Sequence, residues 1–359
     1  MRPLIRAVID THALHHNLSV IRARVGVARI IAVVKANAYG HGLASTALAL
    51  GEADALAVAR LEEGLALRAA GVASRIVLLE GVFSGAELDE AVFERLDLVV
   101  HDASQIELLE RSPEAVALPL WLKIDTGMNR LGFAPRAVPA ALARLQAVSP
   151  IPRELRLMTH LSCANEREDE VTRAQLARFR EATRGLDCEV SIANSAGIFG
   201  AVPLGCHWVR PGLALYGGSP FADCSAESLG LRPVMTLMSS VIAVRRIVRG
   251  EAVGYGGHWI APRDSVIAIV AAGYGDGVHR SLANGAVLVN GVRAPIVGRV
   301  SMDMLAVDVS ALNPDAVRVG TPIVIWGEGL PVEEAAQHAG TIAYELLCSV
   351  SPRVPLEPR

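Results

Sequence analysis

Through the first two-thirds of the chain, short apolar runs alternate with stretches of helical period, and no other feature limits the fold as much. The runs are "RIIAVV" (29–34), "ADALAVA" (53–59), "RIVLLE" (75–80), "LDLVV" (96–100), "ALPLWLKI" (117–124), "ELRLMTH" (154–160), "CEVSIA" (188–193) and "HWVRPG" (207–212). Between them stand Ala-, Leu-, Glu- and Arg-rich stretches such as "RLEEGLALRAAG" (60–71), "SGAELDEAVFER" (84–95), "DASQIELLER" (102–111), "PRAVPAALARLQAV" (135–148) and "DEVTRAQLARFREATRG" (169–185). Strands that read as unbroken Val, Ile and Leu are buried on both faces, which predicts a parallel sheet covered by helices. Eight such units close a (β/α)8 barrel, and that fold carries its chemistry at the carboxyl ends of the strands. Lys35, Lys123, Asp125, Arg130, His160, Asn194, Ser195 and Arg210 all fall there.

From about residue 230 the pattern changes to short strands broken by Gly, Pro and Asn, as in "SVIAIVAAGY", "GAVLVNGVRAPIVGRV" and "TPIVIWG", with one clear helix at 332–339. This predicts a mostly antiparallel β domain. The expected organisation is an α/β barrel over 10–230 and a β domain that takes 231–359 plus the N-terminal strand at 2–9.

Composition narrows the function classes. A formal charge of −3 and 4% aromatic residues give neither the basic footprint nor the stacking platforms of a nucleic-acid binder. No apolar run approaches the ~20 residues that span a bilayer. The opening "MRPLIRAVIDTHALHHN" is too broken by charge and histidine to read as a signal peptide. Five scattered cysteines fit a cytoplasmic protein with reduced thiols.

Lys35 ends the first apolar run in "VVKANAYGHG". A partly desolvated amine at a barrel strand end is a nucleophile that forms Schiff bases, either with a carbonyl substrate or with pyridoxal phosphate. A phosphate-binding set separates the two cases. "ANSAG" (193–197) places Asn194 and Ser195 to cap a helix whose amides face an anion, and "RPGLALYG" (210–217) sets Gly212 just after the eighth strand. Loops after strands seven and eight are a recurring phosphate site in this fold.

Eight segments, "AVVKANAYGHG", "LKIDTGMNRLG", "THLSCAN", "ANSAG", "RPGLALYG", "AAGYGDG", "PIVGRVSMD" and "YELL", taken in order, resemble the alanine racemase family of fold-type III pyridoxal-phosphate enzymes. The likeness runs from about Ile9 to Pro352. It implies reversible, pyridoxal 5'-phosphate-dependent interconversion of L- and D-alanine, for peptidoglycan precursor supply or alanine catabolism.

By that resemblance Lys35 holds the cofactor and serves as the base on one face of the substrate Cα. Tyr39, Ser195, the amides of Gly212 and Leu213, and Tyr344 reach the phosphate, with Asn194 beside them. Racemisation needs a second base on the opposite face, and the family's is a tyrosine of the other subunit, here Tyr274. A phenol's ordinary pKa near 10 makes it a poor base, so it needs help; the resemblance supplies this through His160, held by Arg210. Arg210 also faces the pyridine nitrogen, and because it cannot give up its proton the ring stays a weak electron sink, which favours reprotonation at Cα. Arg130 and the Met302 segment contact substrate, and Asp303 supports that segment. Lys123 resembles a lysine that is carbamylated in many members. Arg299 and Asp276 read as ion-pair or substrate-access residues. The chain departs from the family at Ser301, where cysteine is common, and at Gly275, where alanine is common. A second base from another chain implies a homodimer with shared active sites.

Other readings differ in chemistry. A serine or broader-range racemase is a closer reading, but broad-range types tend to be exported and this chain shows no export signal. A fold-type III decarboxylase puts an acidic residue at the pyridine nitrogen and a cysteine in the β domain. A non-catalytic pyridoxal-phosphate carrier lacks the β domain, and a cofactor-free Schiff-base aldolase leaves the phosphate set unexplained.

Overall fold

The computed structural model describes residues 4–112, 118–148, 155–166, 170–200, 205–313 and 316–359. Residues 2 and 3 of the expected first strand, and residues 117, 154 and 169 at the starts of three expected elements, lie outside the described residues. Two compact units are present, one of Leu18–Ala38 and Gly42–Leu215, the other of Met1–Asn17, Tyr39–His41 and Tyr216–Arg359.

The first unit is a closed barrel of eight parallel strands: β1 (Arg29–Val33), β2 (Ala55–Val58), β3 (Ile76–Leu78), β4 (Asp97–Val100), β5 (Leu120–Lys123), β6 (Leu155–Met158), β7 (Val190–Ser191) and β8 (Trp208–Val209). Each strand pairs in parallel with the next, and β8 closes on β1 through Arg29↔Trp208 and Ile30↔Val209. Every residue of β2 and β4 is buried, as continuous apolar runs require when helices cover one face and the barrel interior fills the other. The last two strands are shorter than their apolar runs suggest, two residues each. Helix starts are set locally. Ser84 Oγ accepts from the Glu87 amide at 3.2 Å, and Asp102 Oδ1 accepts from the Ser104 amide at 2.9 Å.

The second unit is built on an eight-stranded sheet. Strand Arg6–Ile9 lies between Met235–Ile247, its antiparallel neighbour, and Leu356–Pro358, with which it runs parallel. The remaining pairings are antiparallel. Asn290 and Gly291, at φ 49° and 79°, form the two-residue turn between Ala286–Val289 and Val292–Val297, the left-handed pair that suits a tight hairpin. This unit carries a second helix beyond Val332–Ala339, at Ala343–Ser349. Its seven residues follow Ile342, which offers no side-chain cap, so neither its length nor its start gives a helical signal in the sequence.

Candidate active site

At the mouth of the barrel β1 ends at Val33, and the chain then turns the wrong way round. Ala36, Asn37, Ala38 and Tyr39 all have φ between 52° and 54°. L-residues resist this left-handed turn by about 1–2 kcal/mol each, so neighbours must hold it. Glu63 does much of this work. Its carboxylate accepts from the Ala36 amide at 2.6 Å and from the Ala59 amide at 2.9 Å. The side chain of Asn37 accepts from the Leu43 amide at 2.8 Å. The outcome is that half-buried Lys35 stands at a strand end whose exit path is fixed.

Four cations converge within this unit. Burial lowers the Lys123 amine to about 8, and Arg210, Arg130 and Lys35 add to that effect. His160 is pushed down to about 2, by burial first and then by Arg210, Arg130, Lys123 and Lys35. Its imidazole is therefore neutral at any working pH. Arg210, 5% exposed, is lowered to about 10 by burial and keeps its proton at neutral pH. It donates to Ser191 Oγ at 2.6 Å and to the Thr159 carbonyl at 2.6 Å, and a terminal nitrogen lies 3.4 Å from His160 Nδ1. Its Nε–H takes no partner among the described residues. Arg130 is exposed at the same end of the barrel.

Past β7, Asn194 caps the helix Ser195–Phe199, its Oδ1 accepting from the Gly197 amide at 2.9 Å, while its Nδ2 donates to the Leu161 carbonyl at 3.3 Å. Ser195 Oγ accepts from the amides of Gly212 at 3.0 Å and Ala214 at 3.2 Å. Leu213 is buried at the start of the turn that follows. Asn194, Ser195, Gly212 and Leu213 thus form one laced cluster between the ends of β7 and β8.

The sheet unit holds the tyrosines. Tyr39 stacks on Tyr216 at 4.7 Å between ring centroids, and Tyr344 lies 5.9 Å from Tyr39. Burial raises the pKa of all three phenols, so each keeps its proton and remains a hydrogen-bond donor. Elsewhere in this unit Tyr274 is 43% exposed on a turn over Tyr274–Asp276, beside exposed Met302 and Asp303. Asp276 pairs with Arg353 at 2.7 Å, whereas Arg299 has no carboxylate partner among the described residues.

The alanine racemase N-terminal domain model matches residues 9–220, and the C-terminal domain model matches 234–357. The chain belongs to the alanine racemase family. An alanine racemase from Vibrio parahaemolyticus is 47% identical over 354 residues, 98% of each chain. One from Shewanella putrefaciens is 47% identical over 99% of each. Among solved structures, the biosynthetic alanine racemase from Pseudomonas aeruginosa superposes with a TM-score of 0.95 at 45% identity over the whole of both chains. Alanine racemase from Bartonella henselae with covalently bound pyridoxal phosphate superposes at 0.89 with 30% identity, again over both whole chains. The barrel-plus-sheet architecture of this chain is that of the family.

The donor set in this chain fits the cofactor of that Bartonella protein. A buried guanidinium with an uncommitted Nε–H offers a donor to a ring nitrogen, and an amine stands at the end of β1 for the aldehyde. The capped helix N-terminus after β7 is a kind of donor that suits a phosphate.

Three residues of this alanine racemase family member that matter to its site were not legible in the sequence. Glu63 sits in an ordinary helical stretch, and only the left-handed turn reveals its role. Tyr216 reads as the tail of "RPGLALYG", and Arg353 as a terminal charge.

Proposed function

We propose that this chain racemises alanine by a two-base mechanism, in a homodimer that shares its active sites. The observation that carries this reading is Arg210: a buried cation, still protonated at neutral pH, at the place where a decarboxylase would put an acid. Pyridoxal 5'-phosphate, when bound, draws electrons from the substrate Cα. Lys35 would hold it covalently, Arg210 would face its ring nitrogen, and Tyr39, Ser195, Gly212, Leu213 and Tyr344 would hold the phosphate, with Asn194 fixing the loop that carries Ser195.

Arg210 would offer a proton donor to the ring nitrogen that it does not give up, which would favour return of the proton at Cα. The Lys35 amine takes or gives the proton on one face of Cα. The phenol of Tyr274 of the partner subunit does so on the other. His160 is neutral with Nδ1 turned to Arg210, which leaves its Nε2–H to donate to that phenolic oxygen and favour its phenolate. Arg130 orients the substrate carboxylate, and Met302 with Asp303 of the partner subunit closes the substrate pocket. Four cations with one neutral imidazole call for an anion among them. A carbamate on Lys123 supplies it: the neutral amine adds carbon dioxide and releases a proton, and the new carboxylate pairs with Arg130.

We infer a barrel domain over 10–230 and a β domain over 231–359 with strand 2–9, and a cytoplasmic site of action. The product serves peptidoglycan precursor supply or alanine catabolism.

Exchange of the Cα hydrogen in deuterated water tests the two bases. A Tyr274→Phe variant should lose exchange with L-alanine and keep it with D-alanine. Equal retention for the two enantiomers would overturn the assignment.

A further inference from the structure

The phenol of exposed Tyr274 makes no hydrogen bond or ring contact among the described residues, so nothing within its own unit grips it directly. Its aim is set by its backbone turn. One side of that turn is tied to the following loop: the Tyr274 amide donates to the Ser301 carbonyl at 3.0 Å, and the Gly275 amide donates to the Met302 carbonyl at 2.8 Å. The other side is tied to the chain end, where the Ser351 amide donates to the Asp276 carbonyl at 3.1 Å and Ser349 Oγ donates to the Gly277 carbonyl at 2.9 Å.

Arg353 joins the two sides. Its Nε donates to Asp276 Oδ1 at 2.7 Å, and a terminal nitrogen donates to Asp303 Oδ1 at 2.8 Å. Asp276 is 3% exposed, and its other oxygen accepts from the Gly273 amide at 2.9 Å, so the guanidinium grips the interior of the Tyr274 turn rather than a loose surface acid. A single planar fork thereby locks the turn that carries Tyr274 to the loop that carries Met302. Glycine at 275 makes room for it. A Cβ there would stand 2.8 Å from the Arg353 terminal nitrogen, 3.0 Å from its central carbon and 3.1 Å from the Met302 carbonyl oxygen. Of the two residues at which this chain departs from the family pattern, Gly275 is the one packed against the fork.

We propose that Arg353 is a positioning residue that aims the Tyr274 phenol at the substrate, and that Gly275 sets how closely the guanidinium seats against the turn. The inference rests on the reading of Tyr274 as the second base. It predicts that loosening the fork harms one direction of proton transfer more than the other, because Lys35 lies in the other unit and is untouched.

The test compares holoenzymes of the wild type, Tyr274→Phe, Arg353→Gln, Arg353→Lys and Gly275→Ala by Cα-hydrogen exchange with each alanine enantiomer in deuterated water. Arg353→Gln should slow exchange of L-alanine by about 10- to 100-fold relative to D-alanine, as a misplacement of roughly 1 Å does. Arg353→Lys keeps charge without the fork and should fall between Gln and wild type. Gly275→Ala should shift the same ratio in the same direction without removing any charge, which keeps the test decisive if Arg353→Gln folds poorly. If Tyr274→Phe separates the enantiomers while the Arg353 and Gly275 variants slow both equally, or neither, the positioning role is wrong and the base assignment stands. If Tyr274→Phe itself fails to separate them, both fall.

Discussion

A terminal nitrogen of Arg210 lies 3.4 Å from Nδ1 of His160, and the two form a chain from the end of β8 to the end of β6. Burial and the charges of Arg210, Arg130, Lys123 and Lys35 strongly disfavour a proton on the imidazole. That has a consequence for stability as well as for chemistry.

The His160 pKa is about 2 in the folded chain, well below the value near 6.5 of an unfolded histidine. A depressed histidine leaves the unfolded state holding more protons between those values, so stability falls as pH falls below about 6.5. Denaturant midpoints measured from about pH 7 down to about pH 5 should show His160→Gln losing less stability than wild type, by up to about 1.4 kcal/mol per pH unit. Parallel pH profiles for the two proteins would contradict a neutral, cation-surrounded imidazole.

Tyr39 should matter to cofactor affinity more than to folding. Removing its hydroxyl deletes a donor to an anion, a bond of about 1.5–3 kcal/mol, or roughly 10- to 100-fold in affinity. The ring stacking on Tyr216 survives in Tyr39→Phe, so the thermal midpoint should hardly move. Titration of apoenzyme with pyridoxal phosphate, followed by fluorescence quenching, measures this. An unchanged dissociation constant would remove Tyr39 from the phosphate set.

Much of this architecture was readable from residue order. The barrel strands lie within short, mostly apolar runs that alternate with helical stretches, so β1 to β8 and the residues at their carboxyl ends followed directly. The left-handed turn over Ala36–Tyr39 was not readable. Alanine and tyrosine carry no signal for positive φ, and the stabilising carboxylate of Glu63 comes from a helix 27 residues away. The Asp276–Arg353–Asp303 clamp is hidden for a similar reason, since its members are 77 and 50 residues apart. Periodicity reports which face is buried; it does not report which charge meets which.

Lys123 offers a chemical prediction. With its amine lowered to about 8, a useful fraction is neutral in slightly alkaline buffer and able to take up carbon dioxide. Carbon-13 NMR of the holoenzyme in labelled bicarbonate should show a carbamate resonance that is absent from Lys123→Met. No such resonance at saturating bicarbonate would mean that another anion neutralises Lys35, Arg130 and Arg210.

The central claim is that the two bases at each site come from different chains, and mixed dimers test it most directly. Lys35→Ala and Tyr274→Phe chains should each be nearly inactive alone. Co-expressed, they form hybrid dimers in which one site joins an intact Lys35 to an intact Tyr274 of the partner subunit. With random pairing, half of the dimers are hybrids and half of the hybrid sites are whole, so activity should return to about a quarter of the wild-type value. If the mixture stays as inactive as its two parents, with hybrid dimers verified by tag purification, the amine and the phenol do not meet across a subunit boundary.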